Sequence, residues 1–259
     1  MSTNLCTSDT DSVLAAVRAA AAPWGLNLIG TVDARAYDAA APAGHRLTDV
    51  LPDAQSALLI GNAGRAFWER FRDWISREPA RARRAHPLDT YTVEVVETLR
   101  PLLRARDFTE RTVYPFYGAS DHALSFQRLA MAAGFGVDSV LGLVLHPEFG
   151  PWMATRAAIL SAAHFRASGA LEGFDPCTDC PAPCISVCPG GAFPGRRWSS
   201  SLCLKAKQTL DSCRETCLSR IHCVFGAGHR YSDEEIAYHS THPSGARLDW
   251  ATTTRLVGD

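Results

Sequence analysis

Apolar positions set the local structure through the first two thirds of the chain. Residues 8–23 place Val13, Leu14 and Val17 on one face, with Asp9 and Asp11 near the start and Pro23 and Gly25 at the end, which predicts an amphipathic helix. Residues 26–32 predict a strand. Residues 56–60 form a short apolar strand that runs into Gly61-Asn62-Ala63-Gly64. That junction lacks the full dinucleotide fingerprint and reads as a tight turn rather than a phosphate cradle. Residues 65–76 and 88–104 have helical periodicity. Residues 112–117 are aromatic and extended, and residues 121–133 predict a helix stopped by Gly134. Two apolar runs, 140–145 and 153–160, flank His146-Pro147-Glu148-Phe149-Gly150-Pro151-Trp152 and predict a strand pair. Strands and helices mix without a repeating βαβ rhythm, so the expected class is α+β.

Residues 171–176 mark a boundary. Beyond it Gly and Pro are frequent and periodicity fades until Leu202. Ser232-Asp233-Glu234-Glu235 is a capping box that opens a short helix through Tyr238, and the last twenty residues read as a tail. The expected division is residues 1–172, 173–226 and 227–259.

Hydrophobic residues make up 46% of the 259 residues and charged residues 20%, enough for a sizeable core and too ordered a balance for disorder. The net charge of -1 argues against a generally basic nucleic-acid binder. The longest stretch without charge, residues 180–195, contains four prolines and cannot form a membrane helix. Met1-Ser2-Thr3-Asn4-Leu5-Cys6 has neither the basic start nor the apolar core of a secretory signal, so a soluble cytoplasmic protein is expected.

The cysteines redirect the argument. Of nine, Cys6 stands alone and is expected not to ligate, while the other eight fall between Cys177 and Cys223. Thiols crowded into one segment without a secretory signal point to metal rather than disulfides. The first four, Cys177-x2-Cys180-x3-Cys184-x3-Cys188-Pro189-Gly190-Gly191-Ala192, resemble the ferredoxin signature with one extra residue between the second and third ligands. The second four, Cys203, Cys213, Cys217 and Cys223, are spaced more loosely, and Val224 rather than proline follows the last. By ferredoxin logic, Cys177, Cys180, Cys184 and Cys223 hold one [4Fe-4S] cluster, and Cys188, Cys203, Cys213 and Cys217 the other. Six basic residues against three acids within 177–223 offset the charge of thiolate-ligated clusters. Two four-cysteine zinc sites remain the alternative.

An α+β domain followed by a ferredoxin-type segment resembles the epoxyqueuosine reductase and reductive dehalogenase group. Ser120-Asp121-His122-Ala123-Leu124-Ser125-Phe126-Gln127-Arg128 with Ala133-Gly134-Phe135-Gly136, and the 146–152 segment, resemble their counterparts there. The 146–152 segment and His229-Arg230-Tyr231-Ser232-Asp233-Glu234-Glu235 also resemble the cblC-type cobalamin-processing chaperone. The resemblance implies a nitroreductase-like domain that holds a corrinoid, followed by a ferredoxin-like double-cluster segment. It also implies an electron donor such as a ferredoxin or flavodoxin and leaves the small-molecule substrate unnamed; the net charge and the lack of a membrane-helix stretch, not the resemblance, lead us to expect neither nucleic acid nor membrane as partner. The acid carried by epoxyqueuosine reductases aligns with Ser120, one position before Asp121.

Individual residues carry two readings each. Tyr114 and Asp121 are candidate catalytic proton donors, with core packing and helix capping as the alternatives; Tyr117 borders the same region. Ser120, His146, Gly150, Trp152 and Arg156 are candidate cofactor contacts. His146 also suits a hydrogen bond within its loop, Gly150 a turn and Trp152 the core. Arg156 lies inside an apolar run, where a charge must be paired or face a site. Three functions compete: a corrinoid-dependent oxidoreductase, a cobalamin-processing carrier, and a ferredoxin-like electron carrier without corrinoid.

Overall fold

The computed structural model describes residues 7–104, 109–116 and 124–241. Helix α1 (Thr7–Ala21) leads into strand β1 (Leu28–Asp33), followed by α2 (Ala34–Ala40) and α3 (Leu47–Val50). Strand β2 (Ser56–Ala63), α4 (Ala66–Arg77), α5 (Pro87–Arg104), β3 (Glu110–Val113), α6 (Phe126–Ala132) and β4 (Met153–Ser161) complete the first part of the chain. The four strands form one antiparallel sheet in the order β1-β2-β4-β3. The chain is α+β, as the absence of a βαβ rhythm implies.

Helices cover both faces of the sheet, so all eight residues of β2 are buried. One face packs Leu58, Ile60, Ala157 and Ile159 against α1, α4 and α5. Phe67, Trp68, Phe71 and Trp74 recur at helical spacing on α4 and bury its apolar side there. The other face packs Leu59, Ala158 and Leu160 against α2, α3 and α6. Asp33 starts α2 by accepting from the Ala36 amide at 2.7 Å, and Asp38 starts α3 by accepting from the Leu47 amide at 2.6 Å. Both helices are short, and neither shows a sequence pattern long enough to predict it.

The expected strand pair 140–145 with 153–160 is half right. Strand β4 pairs with β2 and β3, while 140–145 is a turn held by an isolated bridge between Val137 and Leu145. Its apolar residues serve a third core instead, where Leu141 and Leu145 pack with Ala182, Cys184, Phe193 and Cys223. A short apolar run has the same composition whether it faces a sheet or another loop. The helix expected over 121–133 is described from Phe126, with Ser125 accepting from the Arg128 amide at its start; residues 117–123 lie outside the described residues.

The cysteine segment folds as four short helices: α7 (Pro183–Ser186), α8 (Ser200–Thr209), α9 (Asp211–Glu215) and α10 (Leu218–Ile221). Helix α11 (Asp233–Thr241) follows, and Ser232 accepts from the Glu235 amide at its start. It packs back on the first part of the chain, with Tyr238 against the α1/α4/α5 core and its ring 5.1 Å from Trp68. Among the described residues no helix is long and apolar enough to cross a membrane.

Candidate metal centre

Cys177, Cys180, Cys184 and Cys223 all line one small pocket, partly open to solvent, whose other walls include Leu141, Leu145, Ala182 and Phe225. Backbone geometry is spent on this pocket. Ala182 and Arg196 are the two non-glycine residues with positive φ among the described residues, at 50° and 63°. Such conformations are costly and persist where surrounding structure demands them. Ala182 directs its amide to Cys180 Sγ at 3.4 Å. Arg196 donates to the carbonyls of Cys177 and Cys180 at 3.2 and 3.4 Å, which staples the first Cys-x2-Cys turn. A further amide, from Ala192, reaches Cys188 Sγ at 3.5 Å.

The electrostatics divide the thiols into two sets. Burial pushes the Cys184 thiol up, and Cys223, Cys177 and Cys180 push it further. Cys223 is raised by burial and then by Cys177 and Cys180. Burial likewise raises Cys203 and Cys213, and each feels Cys188 and Cys217. Lys207 opposes the shift at both. The first set is the deeper one, with Cys184 and Cys223 buried, whereas Cys217 in the second is exposed. Among the described residues no three His, Cys, Asp or Glu side chains stand close enough to bind a single metal ion. The side chains available to a thiolate-bound centre are the four thiols lining this pocket, with the Ala182 amide donating to the sulfur of Cys180.

The 146–152 loop joins this segment to the sheet. His146 Nδ1 accepts from the amides of Glu148 and Phe149 at 3.0 and 3.2 Å, so the neutral ring carries its proton on Nε2. Burial lowers the His146 pKa. Gly150, at φ 56°, lies against the backbone just past Cys223: a Cβ there would stand 2.2 Å from the Phe225 carbonyl oxygen. Gly226 faces it with the same constraint, since its Cβ would stand 2.1 Å from the Phe149 carbonyl oxygen. Two glycines thus let two segments of the chain touch backbone to backbone. Trp152 is 1% exposed, with Arg220 stacked 4.8 Å from its ring and Tyr231 edge-on at 5.3 Å.

Beside this junction lies a buried polar core. Strand β4 has a bulge at Arg156: Ile60 pairs with Ala157, and the next residue, Gly61, pairs with Thr155. The extra residue turns Arg156 to the face of Ala157 and Ile159 instead of the opposite one. There its guanidinium lies 4.5 Å over Phe67 and its Nε donates to Asn62 Oδ1 at 2.6 Å. Burial lowers the Arg156 pKa, opposed by Tyr231, Glu235, Asp89 and Tyr238. Glu235, 1% exposed, is pushed up to about 8 by burial, with Arg156 and Arg220 pulling it back. Four residues on, His239 is held down to about 3, again by burial first. Sequence reasoning singled out Arg156 but not Asn62 or His239, and it gave Glu235 only a capping role. Asn62 had a signal, a lone amide at the end of an apolar strand; the burial of Glu235 depends on where α11 docks.

Among the remaining candidates, Tyr114 is 8% exposed just past β3, its ring 5.3 Å from Phe116. Ser120 and Asp121 lie outside the described residues, as do Tyr117 and Cys6. The structure therefore gathers His146, Gly150 and Trp152 at the cysteine junction and Arg156 in the adjoining core, with Tyr114 on a separate edge of the sheet.

This arrangement, an antiparallel four-stranded α+β unit, is similar in fold to an epoxyqueuosine reductase and to a CblC-type B12-trafficking protein. Three solved structures illustrate the likeness. Epoxyqueuosine reductase from Bacillus subtilis, captured with its catalytic loop swung out of the active site, superposes with a TM-score of 0.59 at 16% identity over 89% of this chain and 71% of its own. The C. elegans B12-trafficking protein CblC, a human MMACHC homologue, gives 0.58 at 17% identity and 98% coverage of both chains. The catabolic reductive dehalogenase NpRdhA in complex with 3-bromo-4-hydroxybenzoic acid gives 0.53 at 13% identity over 93% of this chain and 36% of its own. No protein-family profile and no curated protein sequence matches the chain.

Proposed function

We propose that the protein is an iron–sulfur redox protein in which Cys177, Cys180, Cys184 and Cys223 bind one [4Fe-4S] cluster and Cys188, Cys203, Cys213 and Cys217 a second, and that these serve a corrinoid held by the sheet domain. The observation that carries the reading is the set of four thiols that line one pocket, with the Ala182 amide and Arg196 directed at the loop. When bound, the clusters supply single electrons and the corrinoid a reducible cobalt. The chain's own part is to bind, shield and charge-balance. Cys184 and Cys223 lie buried at the inner site, which is partly open to solvent, whereas exposed Cys217 brings the outer site to the surface, where an electron donor such as a ferredoxin or flavodoxin would dock. The corrinoid rests on the likeness of fold. Gly150, Trp152 and Arg156 are engaged within the protein, and His146 offers its Nε2 edge, so no chemical step is assigned to a corrinoid contact here.

A cobalamin-processing role is the second reading, favoured by the match to CblC across 98% of both chains. Turnover of a small-molecule substrate separates the reductase from the carrier, which would release cobalamin to a partner without turnover.

The test is anaerobic preparation with iron, acid-labile sulfide, zinc and cobalt analysis. A brown protein with iron and sulfide in equal amounts is expected. Cys223→Ser and Cys217→Ser are each expected to retain roughly half the iron, by loss of different clusters. A colourless protein carrying only zinc refutes the reading, and absence of any cobalamin-induced spectral change under reducing conditions refutes the corrinoid part.

A further inference from the structure

Helix α8 carries Cys203 in its first turns, and the way the helix starts decides what that thiol meets. Ser199 is the cap. Its hydroxyl accepts from the Leu202 amide at 3.4 Å, and its carbonyl accepts from the Cys203 amide at 3.0 Å. The side chain just before such a cap and the side chain four residues after it meet across the first turn, where two apolar groups ordinarily pack. Here those positions are Trp198 and Cys203. The two side chains are hydrogen-bonded. An indole nitrogen donates and does not accept, so Trp198 Nε1–H is directed at Cys203 Sγ.

The indole is seated on glycine. Gly142, at φ 67°, lies against the ring, and a Cβ there would stand 2.6, 2.8 and 3.0 Å from three of its carbon atoms. Gly142 is itself held in place: its amide donates to the Ser139 carbonyl at 2.9 Å, and its carbonyl accepts from Gln127 Nε2 at 2.7 Å. The residues leading to Trp198 serve the other thiol set. Arg196 holds the Cys177 and Cys180 carbonyls, and Phe193 packs with Cys184 and Cys223. The 193–198 turn therefore touches both sets, with Trp198 meeting a sulfur of the outer one. Cys203 lies within electrostatic reach of Cys217 and Cys188, the thiols with which it would share a cluster.

We propose that Trp198 is a positioning residue that donates its indole N–H to Cys203 Sγ in the outer cluster and thereby raises the reduction potential of that cluster. The proposal rests on the iron–sulfur reading above and adds to it the group that tunes one of the two centres. Hydrogen bonds to the sulfurs are among the determinants of cluster potential. Reduction adds negative charge that the thiolate shares, and a donor fixed on that sulfur binds the more negative form more strongly. Trp198→Phe keeps an aromatic ring on Gly142 and removes the N–H, which separates the hydrogen bond from the packing.

The experiment is an anaerobic redox titration of the iron-loaded protein and of Trp198→Phe, with iron and sulfide measured on the same samples. Electron–nuclear double resonance of the reduced protein, carrying an isotope label at the indole nitrogen of its tryptophans, accompanies it. The labelled nitrogen is expected to couple to the cluster that Cys217→Ser abolishes, and Trp198→Phe should lose that coupling. Trp198→Phe should also keep its full iron, lower the midpoint potential of the same cluster and leave the other in place. A purely packing role would give no nitrogen coupling and no change in potential. Either result in fully loaded protein, coupling absent or the outer potential unchanged in Trp198→Phe, overturns the proposal and leaves the cluster reading intact. Should Trp198→Phe fail to load iron, the coupling in the unmodified protein decides, and its absence overturns the proposal. Zinc in place of iron in the unmodified protein overturns both proposals.

Discussion

Gly150 permits a worked prediction, because two separable costs meet there. Its φ of 56° lies in the left-handed region, where a residue with a Cβ costs about 1–2 kcal/mol. That Cβ would also stand 2.2 Å from the Phe225 carbonyl oxygen and 3.0 Å from the Gly226 amide nitrogen, backbone atoms that cannot rotate away. Overpacking of this kind costs about 1–3 kcal/mol. Gly150→Ala should therefore lose about 2–5 kcal/mol. At about 2–4 °C per kcal/mol for a chain near this size, Tm falls by about 4–20 °C. Two other glycines calibrate the parts. Gly173, at φ 70° with nothing near its Cβ position, should show only the conformational cost on replacement by alanine. Gly228 has open space and no positive φ, and Gly228→Ala should stay within about 0.5 kcal/mol of the unmodified protein. Thermal unfolding by circular dichroism ranks the three, and iron content reports whether the Phe225–Gly226 turn still supports Cys223. Equal losses in Gly150→Ala and Gly173→Ala would show that the backbone contact does not exist in solution, and would refute the junction built on it.

Other expectations concern the polar core and the loop. Glu235 stays protonated up to about pH 8 when folded, whereas the unfolded carboxyl ionises near its ordinary value of 4.5; it therefore removes stability steadily as pH rises through that window, and Glu235→Gln should flatten the slope there. His239 stays neutral down to about 3, while an unfolded histidine takes up a proton below about 6.5, so it removes stability as pH falls across that range, and His239→Asn should flatten the acid side. Chemical unfolding across pH checks both, and slopes unchanged by either substitution count against a buried α11. His146→Ala removes the acceptor of the Glu148 and Phe149 amides, which lie near enough to the surface for water to replace it, and should cost about 0.5–1.5 kcal/mol. If cobalamin titration of the same variant shows normal affinity, His146 serves only its loop.

How much was legible beforehand varied with the physics. Amphipathic helices announced themselves, because α1, α4 and α5 bury one stripe each and periodicity records that directly. Strands β2 and β4 were visible as apolar runs. Residues 140–145 misled for the same reason, since their apolar side chains line the cysteine cavity and composition does not name the neighbour. The eight cysteines stood out by clustering. Trp198 did not, because its seat is Gly142, a residue far from it in sequence. The bulge that turns Arg156 toward Asn62 is likewise a matter of register, and a strand read alone has none.

Helix α11 returns to Trp68 and Phe71 after the chain has passed through the whole cysteine segment. The thiol-bearing stretch is thus a loop whose two ends are both anchored in the sheet domain's own hydrophobic interior. Much of the entropy of bringing Cys177 and Cys223 together is then met by the scaffold itself. If the proposed clusters bind, stripping the iron should therefore leave the sheet domain and its α11 contact folded.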